Sequence, residues 1–320
     1  MPLRRGKIAV VGGANMDIGG FPSAALVPGD SNPGQVRMSV GGVGRNIAET
    51  AARMGLEVEL ITALGADANG RAILADCAAK GIGMQCCRIE ESERTSVYLF
   101  IDDAKGDMNC AVNDMQIQRL LTPEWIEPRL GLLNSMDAVC IDANLPEETI
   151  AYLSEKLTAP LFADAVSAAK VQRLRPALSR MHSFKPNRLE AELLTGVVIN
   201  DMIDAAEAAK RLMEAGVKQV YLSMGAMGAM GALCAEGMQC AFLPGVERNL
   251  VNATGAGDAF SAALLWAHVQ GLSLQESGLA GMAAASIAVE SIETVNPELN
   301  EKILRERMAT IAAQCNLRRK

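Results

Sequence analysis

The sequence predicts an α/β fold with a central, mostly parallel sheet that is covered by helices on both faces. Short strand-like runs alternate with helix-like segments along most of the 320 residues. The strand-like runs are apolar throughout, as expected for a sheet buried on both faces, whereas a half-exposed sheet alternates apolar and polar positions. In one stretch two strand-like runs follow each other with no helix between them, which predicts a second, smaller sheet.

The alternation supports a series of strands and helices in chain order. The strands are predicted at Lys7–Val11, Glu57–Ala63, Ala138–Ile141, Pro160–Asp164 and Gln219–Ser223. The helices, identified by their 3.6-residue periodicity, are predicted at Arg45–Met54, Asn69–Lys80, Glu147–Leu157, Met202–Ala215, Ala256–Val269, Leu274–Val289 and Leu299–Ala313. Ligands of such sheets bind beyond the carboxyl ends of the strands, so the loops there are expected to carry the functional residues.

The exception to the alternation is a predicted β-hairpin. Thr95–Ile101 is followed by a turn that contains Gly106 and then by Asp107–Asn113. Together with the extended segment Gly34–Ser39, the hairpin predicts a small sheet standing off the main body, formed by about residues 17–40 and 95–114. Such a sheet is either a lid over the site or a surface for a homodimer. The sequence contains no linker or repeat, so we expect residues 1–320 to form one domain with this lid.

Composition excludes several classes of function. The net charge is −7 and aromatic residues make up 3% of the chain, which disfavours a nucleic-acid partner. No apolar run approaches the roughly 18–20 residues of a membrane span, and the N-terminus does not resemble a signal peptide. The eight cysteines form no Cys-x-x-Cys pattern and there are only two histidines, so we expect reduced thiols, a cytoplasmic protein and no multi-histidine metal site.

The motif with the clearest chemistry is Asn252-Ala-Thr-Gly-Ala-Gly-Asp-Ala-Phe260, at the start of a predicted helix. Gly255 and Gly257 allow several backbone N–H groups to point at one spot, where the positive end of the helix also favours an anion. Asp258 is then placed to accept a hydroxyl proton while a phosphoryl group is transferred. The alternative is a glycine-rich turn with an ordinary first-turn acid. The sequence contains no Walker A pattern.

Two other polar segments are candidates for substrate binding. Gly41-Gly-Val-Gly-Arg-Asn46 runs into a helix, and its Arg45 and Asn46 could hydrogen-bond a substrate that approaches the glycine backbone; the alternative is a flexible helix entrance. Gly13-Ala-Asn-Met-Asp17 follows the first strand, where Asp17 could accept hydrogen bonds from both hydroxyls of a sugar diol. The alternative there is a simple turn.

Two further segments are candidates for a nucleotide and its metal. In Lys185-Pro-Asn-Arg-Leu-Glu190, Asn187 and Glu190 have the spacing of a capping box. The same two residues could also reach Mg²⁺ through water, since this ion keeps most of its hydration shell. Ser223-Met-Gly-Ala-Met-Gly228 directly follows a strand and could bind phosphates through backbone N–H groups, or merely turn the chain.

Taken together, these segments resemble the ribokinase-like family of carbohydrate and nucleoside kinases over nearly the whole chain. The strongest matches, in order and spacing, are Gly41–Asn46, Gly65–Gly70 and Thr254–Asp258. Within that family the chain looks most like the pseudouridine kinases, on the evidence of Ala14–Asp17, Asp30–Gly34, Gly41–Ala48, Asn113–Met115, Lys185–Glu192 and Asn252–Asp258. The resemblance implies a three-layer sandwich with a β lid, and transfer of the ATP γ-phosphate to the 5′-hydroxyl of pseudouridine with the help of Mg²⁺.

The resemblance also implies a role for each candidate residue. Asp258 is the implied base, and Gly255, Ala256 and Gly257 form the anion hole. The implied substrate-binding residues are Asn15, Asp17, Ser31, Asn32, Gly41, Gly42, Arg45, Asn46, Asn113 and Asn144. The residues implied to organise the metal are Asn187 and Glu190. Those implied to bind the nucleotide are Asn187, Ser223, Gly225, Gly228 and Thr254. Many relatives have Asp in place of Asn252 beside a monovalent cation. Asn252 lacks the negative charge of that Asp, which argues against potassium activation, although the amide oxygen of Asn252 can still ligate a cation.

Two other readings of the sequence stay open. The chain could be a kinase for another nucleoside or for a free sugar such as ribose, which the lid segments Asp30–Gly34 and Asn109–Asp114 would decide. It could also be a catalytically silent ligand-binding relative. The intact Asp258 and the glycines before it argue against a catalytically inactive protein, because an inactive site has no need for a proton acceptor.

Overall fold

We analysed a computed structural model of the chain, which describes residues 5–103, 108–224, 232–237, 239–243 and 251–318. The strands are β1 Lys7–Val11, β2 Asn15–Pro22, β3 Gly34–Gly41, β4 Glu57–Ile61, β5 Ala63–Gly65, β6 Arg88–Glu90, β7 Val97–Asp102, β8 Met108–Asp114, β9 Ala138–Asp142, β10 Leu161–Asp164, β11 Met181–Phe184, β12 Gln219–Ser223, β13 Ala232–Glu236 and β14 Gln239–Leu243. The helices are α1 Val43–Arg53, α2 Ala68–Ala79, α3 Pro123–Ile126, α4 Leu130–Asn134, α5 Glu147–Lys156, α6 Arg188–Thr195, α7 Met202–Glu214, α8 Ala256–Val269, α9 Leu274–Ala288 and α10 Glu301–Arg318.

The main sheet has eight strands in the order β14-β13-β12-β11-β10-β9-β1-β4. The strands from β12 to β4 are parallel, and β13 runs antiparallel to both of its neighbours, β12 and β14. The predicted α/β class with a mostly parallel central sheet is confirmed. Because the parallel strands all end at one edge, the loops after β1, β9, β10, β11 and β12 are brought together there.

Helices cover both faces of this sheet and bury a separate apolar core on each. In β1, Ile8 and Val10 belong to the core beneath α1, α8 and α9, whereas Ala9 and Val11 belong to the core beneath α5, α6 and α7. All four side chains are fully buried. A strand that alternates between two cores must be apolar at every position, which explains the uninterrupted apolar runs in the sequence.

A second sheet has the order β3-β2-β7-β8. The pair β7–β8 is antiparallel, as the hairpin prediction required, and β3 covers the predicted extended segment. The turn of the hairpin at 104–107 lies outside the described residues. The central strand of this sheet, β2, was not predicted, because Asn15 and Asp17 were placed in a loop after β1. The alternative reading of that segment as a simple turn is therefore wrong.

Helix α8, which begins next to the proposed base, is packed closely against α9. A side chain on Gly281 of α9 would overlap the ring of Phe260 in α8, so the two backbones approach too closely for any larger residue. The small-residue stretch around Gly281 therefore serves helix packing. Among the described helices, none combines the length and apolar character needed to cross a membrane.

Candidate active site

The start of α8 forms an open anion-binding geometry. Gly255 is the residue before the helix and has a φ of 82°. A side chain there would overlap the carbonyl oxygen of Thr294, so both the conformation and the space require glycine. Within the part of the chain that the structure describes, no side chain caps this helix. The first backbone N–H groups of α8 therefore remain available for an anion, at the positive end of a 14-residue helix.

Asp258 lies in the first turn of α8, and its carboxyl group is poised to exchange a proton near neutral pH. Asn46 of α1 donates a hydrogen bond from Nδ2 to Asp258 Oδ2 over 2.8 Å. Burial, followed by the negative charge of Asp164, raises the pKa of Asp258 to about 7, while Asn46 and Lys185 oppose the rise. A carboxylate with a pKa near the working pH is a suitable general base.

Arg45 orients the side chain of Asn46. Its guanidinium is buried, at 3% exposure, and forms ion pairs with Glu49 at 2.5 Å and Asp76 at 2.6 Å. It also donates from Nη1 to Asn46 Oδ1 over 3.2 Å. This bond holds the amide oxygen of Asn46 away from Asp258, so that the amide NH₂ group faces the carboxylate. Sequence analysis placed Arg45 near the substrate, whereas here its charge is already paired.

Asp17 occupies a second polar position, built from β2 and the two glycines before α1. Asn15 donates from Nδ2 to Asp17 Oδ1 over 2.6 Å. Burial raises the pKa of Asp17 to about 6, against the effects of Asn15 and of Arg45. A side chain on Gly41 would overlap the Asp17 carboxylate, and Gly42 has a φ of 100° in a tight approach to Gly13. Gly41 is therefore required by the packing around Asp17, and Gly42 by its backbone conformation and its approach to the segment before β2.

One face of the second sheet places four polar side chains in a row. Asp17 pairs with Ser39 on β3 and with Tyr98 on β7, and Tyr98 pairs with Asn113 on β8. Side chains that are paired across strands share a face and lie about 5 Å apart. The predicted residues Asp17 and Asn113 are thus on the same face. Tyr98 was missed, because its pairing with Asn113 depends on the register between the two hairpin strands, which the alternation of the sequence does not give.

The loop after β9 adds Asn144 to the strand-end edge. Asp142 accepts hydrogen bonds from the backbone of Gly13 at 2.7 Å and of Asn144 at 2.9 Å, and so ties this loop to the loop after β1. Lys170 donates from Nζ to Asn144 Oδ1 over 2.6 Å, and burial lowers the pKa of this lysine. Sequence analysis found Asn144 but not Asp142 or Lys170. Asp142 lies one residue beyond the end of the predicted strand Ala138–Ile141.

The predicted nucleotide and metal residues also lie together. Asn187 and Glu190 form the predicted capping box at the start of α6, with bonds of 2.9 and 2.8 Å. Asn187 also bridges to Ser223 at the end of β12. Gly225 and Gly228 fall outside the described residues. Glu190 keeps one carboxylate oxygen outside the capping box, so this pair can hold Mg²⁺ through water; the described residues contain no cluster of three or more metal-ligating side chains.

The segment before α8 is held by Asn252. Its Oδ1 accepts a hydrogen bond from the backbone N–H of Thr254 at 2.9 Å, and its Nδ2 donates to the carbonyl oxygen of Ile292 at 3.2 Å. Both ends of the amide are therefore engaged in protein hydrogen bonds. In this arrangement a cation would have to share the amide oxygen with the Thr254 N–H.

Ser31 and Asn32 are not brought to the strand-end edge in this structure. They lie in an exposed loop between β2 and β3, where the Asn32 amide exchanges hydrogen bonds with the backbone of Val27. This loop belongs to the second sheet, so its distance from Asp258 depends on the position of that sheet. A contact between these residues and a substrate stays a prediction.

Comparison with known proteins places this geometry in a family. The family model described as pfkB family carbohydrate kinase matches residues 5–301. The chain belongs to the pfkB family. The prediction of a ribokinase-like kinase from the sequence is thereby confirmed.

Relatives of this pfkB kinase act on different acceptors. The chain is 34% identical to the pseudouridine kinase of Escherichia coli K12 over 294 residues, which cover 92% of this chain and 93% of the relative. It is 29% identical to the guanosine-inosine kinase of Exiguobacterium acetylicum, over 90% and 95% of the two chains. These relatives support a sugar or nucleoside kinase and leave the acceptor to be decided.

Solved structures agree on the fold. A carbohydrate kinase from Agrobacterium tumefaciens superposes with a TM-score of 0.84 at 30% identity, covering 95% of this pfkB kinase and 97% of that chain. The ribokinase of Arabidopsis thaliana, solved with ribose and ATP, gives a TM-score of 0.84 at 21% identity, over 95% and 99% of the two chains. At this identity, the second structure supports the fold alone.

Proposed function

We propose that the protein transfers the γ-phosphate of ATP to the 5′-hydroxyl of pseudouridine. The observation that carries a kinase function is Asp258, a carboxylate with a raised pKa beside the uncapped N-terminus of α8. The choice of pseudouridine is supported by the 34% identity to a pseudouridine kinase over almost the full length of both chains. The alternatives are another nucleoside or a free sugar such as ribose.

The proposed reaction uses Asp258 as the base. As the acceptor oxygen forms its bond to the γ-phosphorus, its proton passes to the Asp258 carboxylate. The bond between the γ-phosphorus and the bridging oxygen breaks, and ADP leaves with the electron pair of that bond. The backbone N–H groups of Gly255, Ala256 and Gly257 stabilise the charge on the phosphoryl oxygens during the transfer.

Nucleotide and metal binding are assigned to the edge formed by α6 and β12. When bound, Mg²⁺ neutralises charge on the phosphates of ATP. Asn187 and Glu190 would hold the water shell of this ion. Ser223, at the end of β12, and Thr254, just before α8, are assigned to nucleotide binding. The proposal includes no monovalent cation, because the amide of Asn252 already bonds to Thr254 and Ile292.

Recognition of the base is assigned to neutral amides and a lysine. A uracil joined through carbon presents two ring N–H donors and two carbonyl acceptors. Asn113 can match both kinds of group, and the pair of Asn144 and Lys170 adds an amide and a charged donor. A site built for such hydrogen bonds discriminates strongly against a base that leaves a buried polar group unpaired.

The function is tested by measuring ADP release from ATP and Mg²⁺ with pseudouridine, uridine, cytidine, adenosine, ribose and fructose 6-phosphate in parallel. A strong preference for pseudouridine is the expected result. Preference for another acceptor would keep the kinase mechanism and overturn the assignment of the base-binding residues. No turnover with any acceptor would favour a silent relative.

Replacing Asp17 by alanine is expected to weaken binding of the nucleoside by about 10- to 100-fold, the cost of losing hydrogen bonds to a charged acceptor. Calorimetry with the acceptor chosen above measures the change. Asp137→Ala is the control for the substitution itself, because Asp137 precedes β9 and lies at the amino ends of the parallel strands, away from the proposed site. Unchanged affinity in Asp17→Ala would remove this residue from the substrate site.

The two raised carboxyl pKa values predict the pH dependence of kcat/KM. Both carboxylates must be ionised to act as acceptors, so activity falls as the pH drops. Protonation of Asp258, with a pKa of about 7, begins the loss, and protonation of Asp17, with a pKa of about 6, adds to it. The fall in kcat/KM is therefore about tenfold per pH unit between the two pKa values and approaches about a hundredfold per pH unit well below pH 6. Asp17→Asn should remove the second slope and keep the first. A kcat/KM that is flat from pH 5.5 to 8 would contradict both assignments.

The other face of the second sheet supports self-association. Met38, Ile18, Leu99 and Val112 form one row across its four strands, and Met38, Leu99 and Val112 are 59%, 41% and 66% exposed. Soluble monomers rarely expose such a contiguous apolar patch. We propose that a second copy of the chain covers it, because identical apolar faces are self-complementary in a two-fold dimer.

Light scattering tests this proposal. The unmodified protein is expected to be a dimer, and Val112→Asp a monomer. Val198→Asp changes an equally exposed valine, 69% accessible, outside this sheet and should leave the dimer intact. A monomeric unmodified protein, or a dimeric Val112→Asp variant, would contradict the assignment.

A further inference from the structure

A buried lysine that sequence analysis did not assign lies beside the proposed anion hole. Lys185 follows β11 and is 7% exposed. Its Nζ is 3.6 Å from Asp164 Oδ2, and a Cβ placed on Gly257 would lie 3.1 Å from the same Nζ. The ammonium group therefore lies between the end of β10 and the backbone at the start of α8.

The contacts within the protein do not use the full capacity of this ammonium group. It carries three N–H donors, and Asp164 is its only ion-pair partner within 4 Å among the described residues. Asp164 Oδ2 already accepts a hydrogen bond of 2.7 Å from Ser261. A lysine side chain is cationic at neutral pH, and the carboxylate of Asp164 beside it favours the charged form.

Stability alone does not account for a charge at this position. A buried ion pair contributes little net stability, because the cost of removing both charges from water offsets most of their attraction. The long separation of 3.6 Å weakens that attraction further. A cation with spare donors at the N-terminus of α8 is, however, well placed to act on an anion bound there.

We propose that Lys185 Nζ is a further catalytic group, which contacts the transferring phosphoryl group opposite Asp258. This proposal rests on the proposed kinase function. While the acceptor oxygen bonds to phosphorus and the bridging oxygen leaves, negative charge is spread over the three equatorial oxygens of the phosphoryl group. The ammonium adds a mobile positive charge to the fixed N–H groups of Gly255, Ala256 and Gly257, without giving up its own proton.

The test compares Lys185→Met with Asp164→Asn, both assayed above pH 8, where Asp258 is ionised. Loss of one preorganised donor to a developing charge costs about 10²- to 10³-fold in kcat. We expect Lys185→Met to lose that factor while the KM of the acceptor and the Kd of ADP change by less than about threefold. Asp164→Asn breaks the ion pair but keeps the ammonium, so a smaller loss of kcat is expected.

A second measurement does not depend on turnover. Tetrafluoroaluminate with ADP, Mg²⁺ and the acceptor mimics the transferring phosphoryl group, and Lys185→Met should lower affinity for tetrafluoroaluminate by a factor similar to the loss in kcat. A kcat within threefold of the unmodified enzyme, or an equal loss of affinity for ADP alone, would overturn the proposal. If Lys185→Met does not fold, Lys185→Ala is assayed with added ethylammonium, and failure of ethylammonium to restore activity would count against it.

These outcomes separate the two proposals. If no acceptor is turned over by the unmodified enzyme, the proposed function fails, and binding of ADP with tetrafluoroaluminate still reports on Lys185. If an acceptor is turned over and Lys185→Met is unaffected, the function stands and the role of Lys185 is lost.

Discussion

Asp258→Asn is expected to lower kcat by about 10²- to 10⁴-fold, the usual contribution of a positioned general base. The amide cannot accept the hydroxyl proton, but its oxygen can still accept the hydrogen bond that Asn46 donates at 2.8 Å. The variant should therefore fold, and it loses the repulsion between Asp258 and Asp164 that helps to raise the pKa of Asp258. Binding of the nucleoside, measured by calorimetry, should stay close to that of the unmodified enzyme.

Asp204→Asn is the matched control for this substitution. Asp204 is the third residue of α7, as Asp258 is the third residue of α8, so both changes remove a first-turn acid from the positive end of a helix. Asp204 lies outside the proposed site, and kcat should not change. Turnover of Asp258→Asn within about tenfold of the unmodified enzyme would rule out Asp258 as the base.

The sequence predicts five of the eight strands of the main sheet, β1, β4, β9, β10 and β12, because these strands are apolar runs buried on both faces; β11, β13 and β14 were not predicted. The strands Lys7–Val11 and Gln219–Ser223 have the predicted bounds, since each is a mainly apolar run between glycine or polar residues; the helix Ala256–Val269 also has its predicted bounds. The strand Ala232–Glu236 escaped prediction because Ala-Leu-Cys-Ala-Glu has no β-branched residue, and its pairing with β12 decides its conformation. The strand Asn15–Pro22 contains two glycines and is likewise formed by its two neighbours.

In the candidate site, the sequence likewise identifies residues but not the long-range contacts between them. Glycine-rich motifs led to Asn46 and to Asp258, but not to the hydrogen bond between them, because 212 positions separate the two residues. The partners of Arg45 are similarly hidden, since Asp76 lies 31 residues further along the chain. Lys185 begins one of the motifs, but its position beside Asp164 and the start of α8 emerges only when the strand ends are assembled in three dimensions.

Gly255→Ala is expected to lower kcat by about 10²- to 10³-fold without removing any catalytic side chain, because the new methyl group displaces the backbone N–H groups of the anion hole. Gly255 has a φ of 82°, and a Cβ there would overlap the carbonyl oxygen of Thr294. The start of α8 must shift, and Asp258 moves with it. The free energy of unfolding, measured by denaturant titration, should fall by about 1–3 kcal/mol.

Gly271→Ala separates the loss of the anion hole from the cost of backbone strain. Gly271 follows the other end of α8 with a φ of 69°, and nothing lies within 4 Å of its Cβ position. This control should lose about 1 kcal/mol of stability and keep its kcat, since the strain is similar but no neighbour is displaced. If Gly255→Ala folded and kept kcat within about tenfold, the N-terminus of α8 would not be the phosphoryl site, and the raised pKa of Asp258 would reflect its neighbours rather than its chemistry.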